Sequence, residues 1–136
     1  DGCLIVDAPD ITDKLIYTND MVEMHDEKNF TYLGRRDNVV NSGGVKIFPE
    51  VVERKLANYI DHPFFVFGLT DKILGEKLVL IVEGELDDLA EIQKQQLSCV
   101  SLEKFEAPKE IFFVSKIMTN NGKYLRKKTI KAFNIS

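Results

Sequence analysis

Residues 78–82 read Leu-Val-Leu-Ile-Val, five apolar positions with no polar break. A strand with one wet face alternates apolar and polar side chains, whereas an unbroken run reads as a strand buried among its neighbours. The surrounding segment, Lys77 to Glu83, is one of three such runs. Phe64 to Leu69 and Ile111 to Ser115 are also short and rich in β-branched or aromatic residues. Strands of this kind need helices to cover them, and the chain supplies three candidates.

Pro49 suits the first position of a helix because its φ is already fixed, and Glu50 and Glu53 place negative charge in the first turn. Val52, Leu56 and Tyr59-Ile60 then recur at helical spacing, and Asp61-His62-Pro63 ends the pattern. A second helix is predicted from Asp87 to about Lys104, with Leu89, Ile92, Cys99 and Val100 on one face, weakened by Gln93 and Gln96. A third runs from about Tyr124 to Phe133, with Leu125, Thr129 and Phe133 at i, i+4 spacing. Ahead of the first helix, Val39-Val40 and Val45 with Ile47 flank Asn41-Ser42-Gly43-Gly44, two β-favouring arms around a glycine turn. The predicted fold class is α+β: a short β-hairpin and a three-stranded sheet covered by helices. Before it, Cys3 to Val6 and Phe30 to Leu33 read as short strands that need a neighbour to pack against.

With 136 residues, 44% of them hydrophobic, the chain has the size and composition of one globular domain, or of one domain with a piece of another. No run approaches the ~20 apolar residues of a membrane span, and no signal peptide is recognisable. The chain starts at Asp1, which reads as a piece of something longer. His25 and His62 are the only imidazoles, too few for a histidine metal site, and neither accompanies a nucleophile motif. Cys3 and Cys99 stand in no CxxC pattern and read as two buried thiols, consistent with a reducing, cytoplasmic setting.

Charge is uneven. Residues 116–136 hold six basic and no acidic side chains, leaving 12 basic against 22 acidic residues, a net of −10, in the rest. A basic end on an acidic body suits an anion, nucleic acid included, but also suits an ordinary solvated helix end.

Three polar clusters are candidates for chemistry. In Thr18-Asn19-Asp20 a carboxylate at a strand end can accept both hydroxyls of a ribose, though an Asx turn explains the same residues. Gly34-Arg35-Arg36-Asp37-Asn38, followed by Asn41-Ser42-Gly43-Gly44-Val45-Lys46, combines guanidinium groups suited to phosphate or carboxylate with glycines that let a ligand approach the backbone. Its alternative is a plain charged hairpin. Asn120-Asn121-Gly122-Lys123 sets a mobile cation on a polar turn that launches the last helix. It is no Walker loop, because Ile117 stands at the earlier glycine position and Tyr124 replaces the Ser/Thr.

In order, these clusters resemble the C-terminal part of the adenylate-forming superfamily, which includes acyl- and aryl-CoA ligases, peptide-synthetase adenylation domains and luciferases. The Y-x-TGD segment appears as Tyr17-Thr18-Asn19-Asp20, with asparagine at the usual glycine. The GRxD hinge, glycine loop and PxEIE helix appear as Gly34-Arg35-Arg36-Asp37, Gly43-Gly44 and Pro49-Glu50-Val51-Val52-Glu53. Asp71 to Gly75-Glu76 matches the D-xx-x-GE segment, and Gly122-Lys123-Tyr124-Leu125-Arg126 the GKxxR segment. Ile117-Met118 stand where a proline is usual. Within the superfamily, residues 34–46 most resemble the O-succinylbenzoate–CoA ligases of menaquinone biosynthesis.

The resemblance implies an ATP-dependent acid–thiol ligase that joins a small-molecule carboxylate to AMP and then to CoA, with Mg2+ as cofactor. It gives Lys123 the catalytic role, Asp20 and Arg35 the nucleotide, Asp37 the hinge, and Gly43, Gly44 and Lys46 the CoA. It makes residues 1–36 the remnant of a large N-terminal domain and 37–136 the complete small domain. The other partner it implies is that missing large domain, with no nucleic acid and no membrane span. The isolated piece is then expected to be inactive, since the superfamily's phosphate loop and acyl pocket do not occur in it. Other readings are another aryl- or fatty-acyl-CoA ligase, a non-catalytic anion- or nucleic-acid-binding module, or a purely structural domain.

Overall fold

A computed structural model describes residues 20–26 and 29–136 in full and residues 3–7 and 15–19 as backbone. Strands β1 (Cys3–Asp7), β2 (Leu15–Met24) and β3 (Phe30–Arg35) form an antiparallel sheet in the order β1-β2-β3. A single 3₁₀ turn, Arg36–Asn38, leads to β4 (Val40–Ser42) and β5 (Val45–Ile47), followed by α1 (Pro49–Leu56). Next come β6 (Phe64–Asp71), β7 (Gly75–Glu83), α2 (Leu89–Leu97) and β8 (Glu110–Val114). The chain closes with β9 (Thr119–Asn120), β10 (Lys123–Tyr124) and α3 (Arg126–Ala132).

The apolar run of 78–82 is the centre of the fold. β7 pairs antiparallel with β6 from Phe64↔Val82 to Asp71↔Gly75, and parallel with β8 from Val79↔Glu110 to Glu83↔Val114. Leu78, Leu80 and Val82 join Val66, Val52 and Leu56 of α1 and Ile92 of α2 in one buried cluster. Val79 and Ile81 join Phe65, Leu69, Val114 and Ile117 in the other, against which Ile130 of α3 packs. Both faces of β7 are therefore covered, which is why its sequence does not alternate. Each such side chain stabilises the fold by about 1.5–3 kcal/mol on full burial.

The predicted α+β class is observed, with local differences. The hairpin and the expected three-stranded sheet are one five-stranded sheet, because β4 meets β7 at Ser42↔Gly75. The first helix stops at Leu56. The N–H groups of Tyr59 and Ile60 both turn back to the Leu56 carbonyl, and Ile60 stays buried outside the helix.

The helix expected from Asp87 to Lys104 is half as long. Leu86–Asp88 is a 3₁₀ turn, and α2 ends where the Ser98 hydroxyl and N–H both bond the Lys94 carbonyl, a local competition that favours stopping. Cys99 is buried beyond that end, while Val100, predicted on the same face, is 90% exposed. The last helix begins at Arg126, because Lys123-Tyr124 pair with Thr119-Asn120. Asn121 and Gly122, with φ of 53° and 78°, are the left-handed pair that a two-residue hairpin turn demands. Of the two cysteines, Cys99 is a buried free thiol; the side chain of Cys3 lies outside the described residues.

Candidate functional site: a cleft between two hairpins

The β2–β3 register places Asp20 opposite Arg35, and the Arg35 Nη1 donates to Asp20 Oδ1 at 2.9 Å. Asp20 thus sits within β2, which removes the Asx-turn reading of its cluster. The pair is partly solvated, with side chains 47% and 28% exposed, so its contribution to stability is small and its value is orientation.

The Arg35 backbone is held from the other side. Its N–H donates to Glu50 Oε2 at 2.9 Å, and the Asn38 amide donates to the same oxygen at 2.9 Å. Arg54 of α1 adds a bond from Nη2 to the Tyr32 carbonyl at 2.7 Å. The first two turns of α1 therefore grip the end of β3. Gly34 makes this possible: its φ is +144°, and a Cβ there would lie 2.5 Å from Glu50 Oε1. That second Glu50 oxygen is buried and accepts no hydrogen bond among the described residues. Burial pushes the Tyr32 phenol up, with the Glu50 and Asp20 carboxylates acting in the same direction.

Facing this edge is the β9–β10 hairpin. Lys123 is exposed, and no carboxylate among the described residues pairs with it. Its neighbours are fixed instead. Leu125 N–H donates to the Met118 carbonyl at 2.8 Å, and Met118 N–H donates to Thr129 Oγ1, whose hydroxyl donates to the Leu125 carbonyl. The Tyr124 ring lies 6.3 Å from the Phe65 ring, and the Arg126 guanidinium stands 5.9 Å over that same ring. Arg126 also pairs with Glu53 of α1, whose other oxygen accepts the Val66 N–H.

Between the two edges is a cleft of about 460 Å³ lined by Tyr32, Arg35, Asn38, Glu50, Gly122, Lys123, Tyr124 and Arg126. Of the predicted residues, Arg35 and Lys123 line it directly, and Asp20 is tied to it through Arg35. Asp37 lies in the 3₁₀ turn and lines a smaller neighbouring hollow with Asn38, Arg126 and Lys127. Gly43, Gly44 and Lys46 do not line the cleft. They occupy the β4–β5 hairpin, whose glycines have φ of 57° and 84° and where open space surrounds Gly44. The predicted residues thus do not all gather at the cleft. Glu50 and Tyr32 were missed as site residues: a first-turn glutamate already has the helix dipole to explain it, and only an acidic partner for the Arg35 backbone would have singled it out.

No protein-family model matches the chain. It is 32% identical over 120 residues, 84% of its length, to the 2-succinylbenzoate–CoA ligase of Escherichia coli, and spans 25% of that protein. It is 28% identical over 102 residues to a medium/long-chain-fatty-acid–CoA/3-oxocholest-4-en-26-oate–CoA ligase of Mycobacterium tuberculosis, spanning 18% of it. A solved acyl-CoA synthetase (AMP-forming)/AMP-acid ligase II-like protein from Dyadobacter fermentans superposes with a TM-score of 0.65 at 31% identity, over 96% of this chain and 39% of that one. The chain spans about a quarter or less of these curated relatives' length. It is a homologue of the C-terminal part of the AMP-forming acyl- and aryl-CoA ligases.

Proposed function

We propose that the chain is the C-terminal part of an ATP-dependent acid–CoA ligase acting on 2-succinylbenzoate in menaquinone biosynthesis, in the cytoplasm. The observation that carries this reading is the Lys123 ammonium, unpaired among the described residues, on the opposite edge of one cleft from the Asp20–Arg35 pair. In the first step a carboxylate oxygen attacks the α-phosphorus of ATP, and the bond to pyrophosphate breaks. In the second the CoA thiolate attacks the acyl carbonyl, and AMP leaves.

The first step brings two anions together. A cation placed between them stabilises the charge that gathers in the transition state, and Lys123 has that freedom. Asp20 accepts the ribose hydroxyls, and Arg35, oriented by Asp20 and by Glu50, reaches ribose or phosphate. Residues 1–36 belong to the large domain and residues 37–136 to the small one, with Asp37 as the hinge between them. Rotation there brings the Gly43-Gly44 hairpin against the pantetheine, with Lys46 beside it. The open space around Gly44 supports that role. Among the described residues no group of three His, Cys, Asp or Glu side chains gathers to hold a metal ion. None of the described helices is long and apolar enough to cross a membrane.

The likeness to the M. tuberculosis protein favours a second reading, a fatty-acyl-CoA ligase. Assaying the full-length protein for pyrophosphate release with 2-succinylbenzoate, benzoate and octanoate separates the two. Preference for 2-succinylbenzoate supports the first, preference for octanoate the second. Release with none of them contradicts both.

A further inference from the structure

We propose that Arg126 is the positioning residue of the Lys123 hairpin: by joining Glu53 of α1 and covering Phe65 of β6, it sets where the Lys123 ammonium stands in the cleft. This rests on the reading that Lys123 acts in adenylation.

Among the described residues no ion pair places the Lys123 side chain, and a two-residue turn with two-residue arms is too short to hold a direction by pairing alone. What fixes the hairpin is its exit. Arg126 follows three residues after Lys123 and enters the protein interior, its side chain only 19% exposed. There it meets a carboxylate that is itself anchored twice: Glu53 accepts from Arg126 with Oε1 and from Val66 N–H with Oε2. Burial holds the Glu53 carboxyl above its ordinary range, and Arg126 counters that. The guanidinium and the Tyr124 ring share the Phe65 ring, so hairpin, α1 and β6 meet at one point. Arg126 also lines the cleft, and its buried Nε has no hydrogen-bond partner among the described residues. A planar fork that bonds a carboxylate while covering a ring is something a lysine reproduces only in part.

The test uses the full-length protein. Acid-dependent ATP–pyrophosphate exchange is measured with 2-succinylbenzoate for Lys123→Ala, Arg126→Gln, Arg126→Lys and the Lys123→Ala/Arg126→Gln pair. Misplacing a reacting group by about an ångström costs on the order of 10²-fold, so Arg126→Gln is expected to lose about that much, and Arg126→Lys less. Because Arg126 acts through Lys123, the double variant loses little more than Lys123→Ala alone, whereas a merely structural residue gives multiplied losses. Multiplied losses, or full exchange in Arg126→Gln, overturn the proposal while leaving Lys123 in its role. Full exchange in Lys123→Ala overturns the role of Lys123 and the proposal with it. Independently of substrate, amide hydrogen exchange at Leu125 is expected to quicken by about tenfold in Arg126→Gln with Ile81 unchanged. Equal rates at Leu125 in both proteins contradict the inference. Should Arg126→Gln fail to fold, Arg126→Lys carries both readouts.

Discussion

Glu50 accepts the backbone N–H of Arg35 at 2.9 Å, so a helix that follows the proposed hinge holds the residue that precedes it. The same oxygen accepts the Asn38 amide from beyond the turn. One carboxylate thus bridges the Arg36–Asn38 segment and keeps Arg35 facing Asp20.

Gly34 is the residue this bridge depends on. Gly34→Ala introduces a side chain at φ +144° and a Cβ 2.5 Å from Glu50 Oε1. The strained backbone alone costs about 1–3 kcal/mol, and Glu50 has to move as well. Thermal unfolding is expected to shift down by several degrees. An unchanged midpoint contradicts the geometry at this position.

Glu53 supplies a pH dependence. Burial raises its folded pKa above the ordinary carboxylate value, and Arg126 counters that rise. A raised carboxylate contributes stability that is fully present below its unfolded pKa and is lost as pH rises through the folded one. Without Arg126 the folded pKa climbs further. Arg126→Gln is therefore expected to destabilise little in acid below the carboxylate range and progressively more toward neutrality. Urea unfolding at both ends of that window measures this; a penalty that shrinks as pH rises contradicts the pairing.

The CoA role of the β4–β5 hairpin is tested at Gly44. A Cβ at Gly44 meets nothing within 4 Å, but φ of +84° adds strain of about 1–3 kcal/mol in Gly44→Leu. Adenylation is expected to survive, and thioester formation to fall sharply as the side chain obstructs the thiol's path. Normal thioester output removes this hairpin from the CoA route.

Much of the fold was readable because its signals are local. Five apolar residues in a row require cover on both faces, and glycine pairs between β-favouring arms announce hairpins. The helix predicted to Lys104 failed for a local reason too, since the Ser98 hydroxyl takes the carbonyl of Lys94 and Val100 turns outward. The site was less legible. Arg35 and Lys123 could be chosen by residue type and resemblance, but Arg126 meets Glu53 across 73 positions. Glu50 meets Arg35 across 15. No periodicity announces such pairs, and both glutamates already had an explanation in the sequence as first-turn charges, which α1 bears out for Glu50 alone.

The central claim is that a lysine without an ion-pair partner among the described residues, held at the cleft edge by its neighbours, serves adenylation and not thiolysis. Lys123 is exposed, so Lys123→Ala is expected to leave the unfolding midpoint unchanged. In the full-length protein the decisive measurement is the rate of each half-reaction for this variant, adenylate formation from acid and ATP, and thioester formation from supplied acyl-adenylate. The account predicts a loss on the order of 10²–10³ in the first and near wild-type rates in the second; equal losses in both, or none in the first, contradict it.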